Sequence, residues 1–241
     1  MSDVIPLASD WTPEPATRWL VEAVETGNPL ATLPPEIAPR DLAEAEAVAL
    51  AVLQQLEIAP CGVRLLHRPG AGTLAGPMIE GRLLPNGAPV AMGALRQPVL
   101  TAAVIGVLGE RLDPDAEEPP RLAALHAAID ISATRFSEEA EADDIALTAD
   151  LARLGLLVAS RGKALAPGRV KAGLGPLGAR RKVVSWDLAS VFVEAAAFAR
   201  RLGGLPAGGL LVVAGLTPPS RVGGRVSASL GPLGRVEVVC S

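Results

Sequence analysis

SWDLASVFVEAAAFARRLGGLPAGGLLVVAGLTPPSRVGGRVSASLGPLGRVEVV, residues 185–239, holds in one run the textures from which the fold is read. Leu188, Val191, Phe192, Ala195, Phe198, Ala199 and Leu202 recur at helical spacing and make one apolar stripe. Ser185 is placed to cap the start, and Asp187 stands in the first turn. Arg200 and Arg201 stand in the last turn, where their charge suits the helix dipole, and Gly203-Gly204 stops the helix. Beyond a Pro206–Gly209 turn, Leu210–Ala214 is a short apolar run that reads as a buried strand. Val226, Ala228 and Leu230 alternate with Arg225, Ser227 and Ser229, and Val236 and Val238 repeat the alternation after a Gly231–Gly234 turn. Helix, buried strand and hairpin in that order close a β-rich domain.

Working back from this unit, residues 1–10 read as a loose arm. Trp11–Thr26 reads as a helix with Trp19, Leu20, Ala23 and Val24 inward. A second helix spans 41–57, with Asp41 as cap, Glu44 three residues on as in a capping box, and a stripe of Leu42, Ala45, Ala49, Val52, Leu53 and Leu56. From Cys61 the texture changes to short strands broken by Gly and Pro. Gly62–Leu66, Pro77–Ile79 and Pro89–Met92 are modest candidates, and Val99–Leu108 is a strand buried on both faces. Asp113–Pro120 is an acidic loop, while Ala127–Ser132 and Gly155–Ser160 are further core strands. Ser137–Asp144 reads as a solvated acidic helix or loop, and Lys163–Lys182 as a mobile or hairpin-rich surface. GPLG at 175–178 and again at 231–234 reads as a turn in both places rather than as a duplication. The boundary near residue 60 divides the chain into an N-terminal helical segment, 1–60, and a β-rich domain, 61–241.

With 49% hydrophobic residues the chain of 241 can bury a sizeable core, and with only 2% aromatic and no Tyr that core must be Leu, Val and Ala. A formal charge of −4 gives no reason to expect nucleic acid or an anionic membrane. Cys61 and Cys240 are too few for a disulfide framework or a zinc site and are expected reduced. No apolar run reaches the ~18 residues of a membrane span, and MSDVIPLASDW has no signal-peptide pattern. A cytoplasmic location is expected.

The phrases FARRLGG, LPAGGLLVVAGLT and RVSASLGPLGRVEVV resemble the C-terminal end of the 2-keto-4-pentenoate hydratase family, within the fumarylacetoacetate hydrolase-like superfamily. Over the last sixty residues or so the likeness is good, and upstream it is weaker but collinear. It implies an α+β fold, a mixed β-roll or sandwich with the two helices packed outside it. It also implies a divalent cation held by a Glu-x-Glu pair on one strand and a third Glu on a neighbour, with a Lys in a GWK-like phrase at the substrate. Alternate strand residues face one side, so such a pair can grip one ion.

Laid on this chain, the Glu-x-Glu positions fall at Thr101 and Ala103 in PVLTAAVIGVLG, and nothing between Gly81 and Gly109 is acidic. The third ligand position, in AAIDIS, carries Asp130. The Lys position carries Arg64, in Cys61-Gly62-Val63-Arg64. One Asp supplies too few oxygens for Mg, and Arg stays protonated but pairs well with a carboxylate. The altered site therefore implies no bound metal and no cofactor. It also implies that Thr101, Ala103, Asp130 and Arg64 lie together. Arg64, Asp130 and His67 are its candidate catalytic residues, and Arg64, Thr101 and Thr217 its candidate substrate contacts. Against these stand plainer readings: Asp130 as a structural ion pair with Arg64 or Arg135, and His67 and His126 as surface or satisfied histidines.

Two functions follow. The resemblance favours a non-catalytic assembly or regulatory partner of an active paralogue, as a homo- or hetero-oligomer. The alternative is a metal-independent hydro-lyase or related enzyme, acting on a small 2-oxo or dicarboxylic acid. A cavity filled by Leu and Val favours the first; an open polar one favours the second.

Overall fold

The computed structural model describes residues 11–137 and 142–241. The expected N-terminal arm and the middle of the acidic run at 137–144 lie outside the described residues.

Helix α1 (Glu14–Thr26) starts behind Pro13 and ends at Gly27, whose φ of 70° is a left-handed cap. It begins three residues later than the sequence suggests. Its buried face is Ala16, Thr17, Leu20, Val21 and Ala23, which rotates Trp19 out to 44% exposure. That is a correction: size alone placed Trp19 inward, whereas the phase of the small residues turned it out. Helix α2 (Leu42–Gln55) has the expected cap, Asp41 Oδ1 accepting from the Glu44 N–H at 2.8 Å. Leu42, counted in its stripe, is 53% exposed because it precedes the first buried turn.

The β-rich body begins at β1 (Gly62–Arg68), β2 (Gly72–Met78), β3 (Leu83–Pro85), β4 (Pro89–Val90) and β5 (Val99–Leu108). Strands β6 (Leu122–Ser132) and β7 (Leu156–Ala159) flank a short helix α3 (Asp144–Ala149). Then follow β8 (Arg169–Pro176), β9 (Val183–Asp187), helix α4 (Leu188–Arg201), β10 (Leu210–Ala214), β11 (Gly224–Leu230) and β12 (Arg235–Cys240). Ser185 lies inside β9, so the cap of α4 is Asp187 instead, its carboxylate accepting from the Ala189 N–H at 3.1 Å. The stretch 163–182, read as a mobile or hairpin-rich surface, supplies β8 and the turn of the β8–β9 antiparallel hairpin.

Seven strands form one mixed sheet in the order β2-β1-β10-β5-β6-β7-β3, and five form a second, β4-β12-β11-β8-β9. Strand β10 sits parallel to β1 and antiparallel to β5. The two-residue period of β5 sorts the layers. Leu100, Ala102 and Val104 face the core shared with Val226, Ala228, Val236 and Val238 of the second sheet and with Phe192 of α4. Ala103 and Ile105 face the other core, shared with Leu20 of α1 and Val48 and Val52 of α2. The result is a two-sheet sandwich with α1, α2 and α3 on the outer face of the larger sheet. Among the described residues no helix is long and apolar enough to cross a membrane.

Candidate active-site cavity

Arg64 belongs to the face of β1 that points toward the helices, as do Thr101 on β5 and Asp130 and Ser132 on β6. Thr101 stands directly opposite Asp130 in the β5–β6 pairing. Arg64 is three strands away from Asp130 in sheet order, which in a flat sheet is about 14 Å. The two side chains nevertheless touch, so the sheet curls toward this face. Arg64 Nε donates to Asp130 Oδ1 and Nη2 to Oδ2, both at 2.7 Å. Nη2 also donates to Ser132 Oγ at 2.9 Å, Nη1 to the Ala152 carbonyl at 2.8 Å, and Ser132 Oγ–H to Asp130 Oδ2 at 2.6 Å. Arg64 is 1% and Asp130 0% exposed. A buried charge pair is tolerable only when both partners are also hydrogen-bonded, and this fork is.

The Ala152 carbonyl belongs to an unusual turn. Leu151, Ala152 and Arg153 all have positive φ, at 52°, 51° and 61°. Side chains with a Cβ resist this conformation by roughly 1 kcal/mol each, so the surroundings must impose it. Two features do. Arg64 pins the Ala152 carbonyl, and Gly76 of β2 leaves room for the Ala152 methyl, which would sit 2.8 Å from a Cβ placed there. The turn swings Arg153 over the sheet, where its Nη2 donates to the Gln97 carbonyl at 3.3 Å.

Above this floor opens a cavity of about 420 Å³, lined by His67, Arg68, Thr101, Ser132, Arg153 and Arg221 with Leu66, Pro69, Val99 and Pro219. Burial, then repulsion from Arg64 and Arg68, pushes the Arg153 pKa down to about 10, which still leaves it charged at neutral pH. Arg68 donates to Asp144 and to the Ala71 carbonyl, each at 2.7 Å. His67 stacks on Trp186 with ring centroids 5.4 Å apart, its Nδ1 lies 2.9 Å from Thr73 Oγ1, and its Nε2 lies 3.7 Å from Glu194.

The structure thus brings Arg64, Asp130 and Thr101 together, and His67 lines the cavity with Thr101; Arg64 and Asp130, expected to meet substrate, are wholly buried beneath the cavity and do not line it. Ala103 is nearby but wholly buried in the helix-facing core. Thr217 is buried and does not line the cavity; its hydroxyl accepts from the Ala102 N–H at 3.0 Å. Thr101 Oγ1 accepts from the Gly215 N–H at 3.0 Å. His126 lies elsewhere, its Nδ1 2.9 Å from the Ser160 carbonyl. Arg135 pairs with Asp150 rather than Asp130, at 3.0 Å. Sequence reasoning missed Arg68, Arg153 and Arg221. A positive-φ turn spelled Leu-Ala-Arg carries no Gly or Asn to announce it.

No protein-family model and no curated protein matches the sequence. Solved structures do match. A 4-oxalocrotonate decarboxylase from Pseudomonas putida G7, complexed with magnesium and adipate, superposes with a TM-score of 0.74 at 16% identity, over 95% of this chain and 98% of that one. A 5-carboxymethyl-2-hydroxymuconate delta-isomerase from Mycobacterium smegmatis gives a TM-score of 0.57 at 13% identity, over 76% and 79%. A fumarylpyruvate hydrolase from Pseudomonas aeruginosa, in complex with Mn2+ and pyruvate, gives 0.56 at 12%, over 76% and 89%.

A divalent cation, held in two of those structures, does not suit the donors here. Both Asp130 oxygens are engaged by Arg64, the Thr101 hydroxyl serves a backbone N–H, and position 103 offers a methyl. Among the described residues no group of three or more His, Cys, Asp or Glu could hold a metal ion. The curled mixed sheet, its partner sheet and the outer helices, matched across nearly the whole chain, give this protein the fumarylacetoacetate hydrolase-like fold.

Proposed function

We propose that this chain is a divergent relative of the hydratases that has lost metal-dependent hydration of 2-keto acids. In its place the cavity binds a small dicarboxylic or 2-oxo acid without a metal, and the protein acts as a ligand-responsive partner of a related enzyme. The supporting observation is the cavity lining, which carries Arg68, Arg153 and Arg221 and, among the described residues, no carboxylate. Guanidinium forks match carboxylates bidentately, and an anion between them offsets the burial, and after it the repulsion, that depress Arg153. Adipate, the ligand of the decarboxylase structure, is a dicarboxylate of suitable size for 420 Å³. An open cavity with His67, Arg68, Thr101, Ser132, Arg153 and Arg221 on its lining speaks, by the same criterion, for the enzyme reading below over assembly alone.

Thermal melts with adipate and its 2-oxo analogue test this. At a hundredfold excess over Kd the melting temperature rises by roughly 5 °C, and Arg153→Met removes the rise. No rise, or a rise that Arg153→Met leaves intact, defeats the reading. Sedimentation of the purified chain tests the assembly arm: two or more copies, or a complex with a related enzyme, are expected, and a lone monomer in both settings removes it.

A second reading rests on His67, an imidazole on the cavity lining. As a proton carrier it would make the protein a metal-independent enzyme. Solvent deuterium exchange at C3 of the 2-oxo acid, abolished by His67→Gln, marks that case; no acceleration over buffer removes it.

A further inference from the structure

A second cationic cavity, of about 380 Å³, lies where the end of α1 meets the segments before β5 and after β6. Asn28, Arg82, Arg96, Gln97, Thr134 and Arg135 supply its polar side chains. It is separated from the first cavity by backbone: Thr101, Ser132 and Arg153 line the first, and Gln97, Ala133 and Leu154 the second.

Its charges do not balance. Asp150, buried behind Thr134, accepts from Thr134 Oγ1 at 2.8 Å, from the Arg135 N–H at 2.9 Å and from Arg135 Nη1 at 3.0 Å. That carboxylate neutralises Arg135. Arg96 donates to the Gly27 carbonyl at 2.9 Å, a neutral acceptor. Arg82, half-buried at the end of a 3-10 turn, has no side-chain hydrogen bond or ion pair among the described residues. Burial first, then repulsion from Arg135, lowers its pKa. Three guanidiniums against one carboxylate leave an excess of two positive charges facing a space large enough for a small metabolite. Guanidinium is the least readily neutralised of the side-chain cations, so the excess is answered by a bound anion rather than by loss of protons.

We infer that this cavity is a second anion site, for a compact oxyanion of charge about −2 such as a phosphate group, with Arg82 and Arg96 as its ligands. The site stands apart from the cavity of the proposed function and does not depend on it. In the charge-compensated state Arg82 would donate to the anion, with Thr134 and Gln97 on the rim.

Inorganic phosphate is the probe, in thermal melts of the full chain and of two variants. Arg82→Met keeps the apolar stem in place and removes the fork; Arg153→Met alters the first cavity directly and reaches the second only through its bond to the Gln97 carbonyl. Phosphate at a hundredfold excess over Kd raises the melting temperature of the parent by roughly 5 °C. The rise survives Arg153→Met and loses its saturable part in Arg82→Met, while Arg82→Lys, which keeps the charge but not the fork, weakens binding about tenfold. Phosphate also stabilises proteins generally by exclusion from their surface, and that effect persists in Arg82→Met. A rise that Arg82→Met retains in full, or one lost in Arg153→Met instead, overturns the site, as does a parent protein that shows no rise.

Discussion

Arg64 and Asp130 stand where metal chemistry would require a lysine and a ligand, and each now answers the other. Removing one partner leaves a lone charge at a fully buried position. Asp130→Ala should therefore cost about 3–5 kcal/mol in urea unfolding. Replacing both, as Arg64→Met with Asp130→Leu, should bring stability back to within about 1 kcal/mol of the parent, since apolar pairs often equal buried ion pairs. A double variant no better than the single one would show that the Ala152 carbonyl and Ser132 need the guanidinium more than Asp130 does. Both members of this pair were legible in the sequence, because the phrases around them align with the resembled family's site, although β1 and β6 are three strands apart. Arg153 was not legible. Its position depends on three successive positive-φ residues, held by a glycine and an arginine distant in sequence.

At the scale of elements, the buried strands were read well and the exposed ones poorly. β5 and β10 match the sequence reading residue for residue, because unbroken apolar runs admit few registers. β9, an edge strand with an alternating exposed pattern, passed for the approach to a helix; only its pairing with β8 shows what it is. Trp19 went wrong for a related reason, since a helix face is set by the phase of its neighbours and not by its largest residue. Where β10 ends, Gly215 takes a φ of 78°, and a Cβ there would lie 1.9 Å from the His67 carbonyl oxygen. Gly215→Ala combines a forbidden conformation with a backbone clash beside the cavity. It should destabilise by at least about 3 kcal/mol, measured by urea unfolding, and should displace the His67 ring from Trp186, read as a change in tryptophan fluorescence.

For the whole molecule, the donor set decides the response to metal. One carboxylate already engaged by a permanent cation does not offset the desolvation of a divalent ion. Millimolar Mg or Mn should leave the melting temperature within about 1 °C, against the roughly 5 °C expected from a saturated site. A rise of that size, lost in Asp130→Ala, would show a working metal centre. The sheet order carries a different consequence. β10 lies between β1 and β5, yet Gly62 and its partner Leu210 are 148 positions apart in the chain. During synthesis, β1 and β5 emerge first and wait with their facing edges open until β10 leaves the ribosome. Closure is thus a late, non-local step of the kind that slows folding and exposes intermediates to aggregation. A nascent chain stalled before Leu210 should hold chaperones and resist solubilisation, while one carried just past Ala214 should begin to release them.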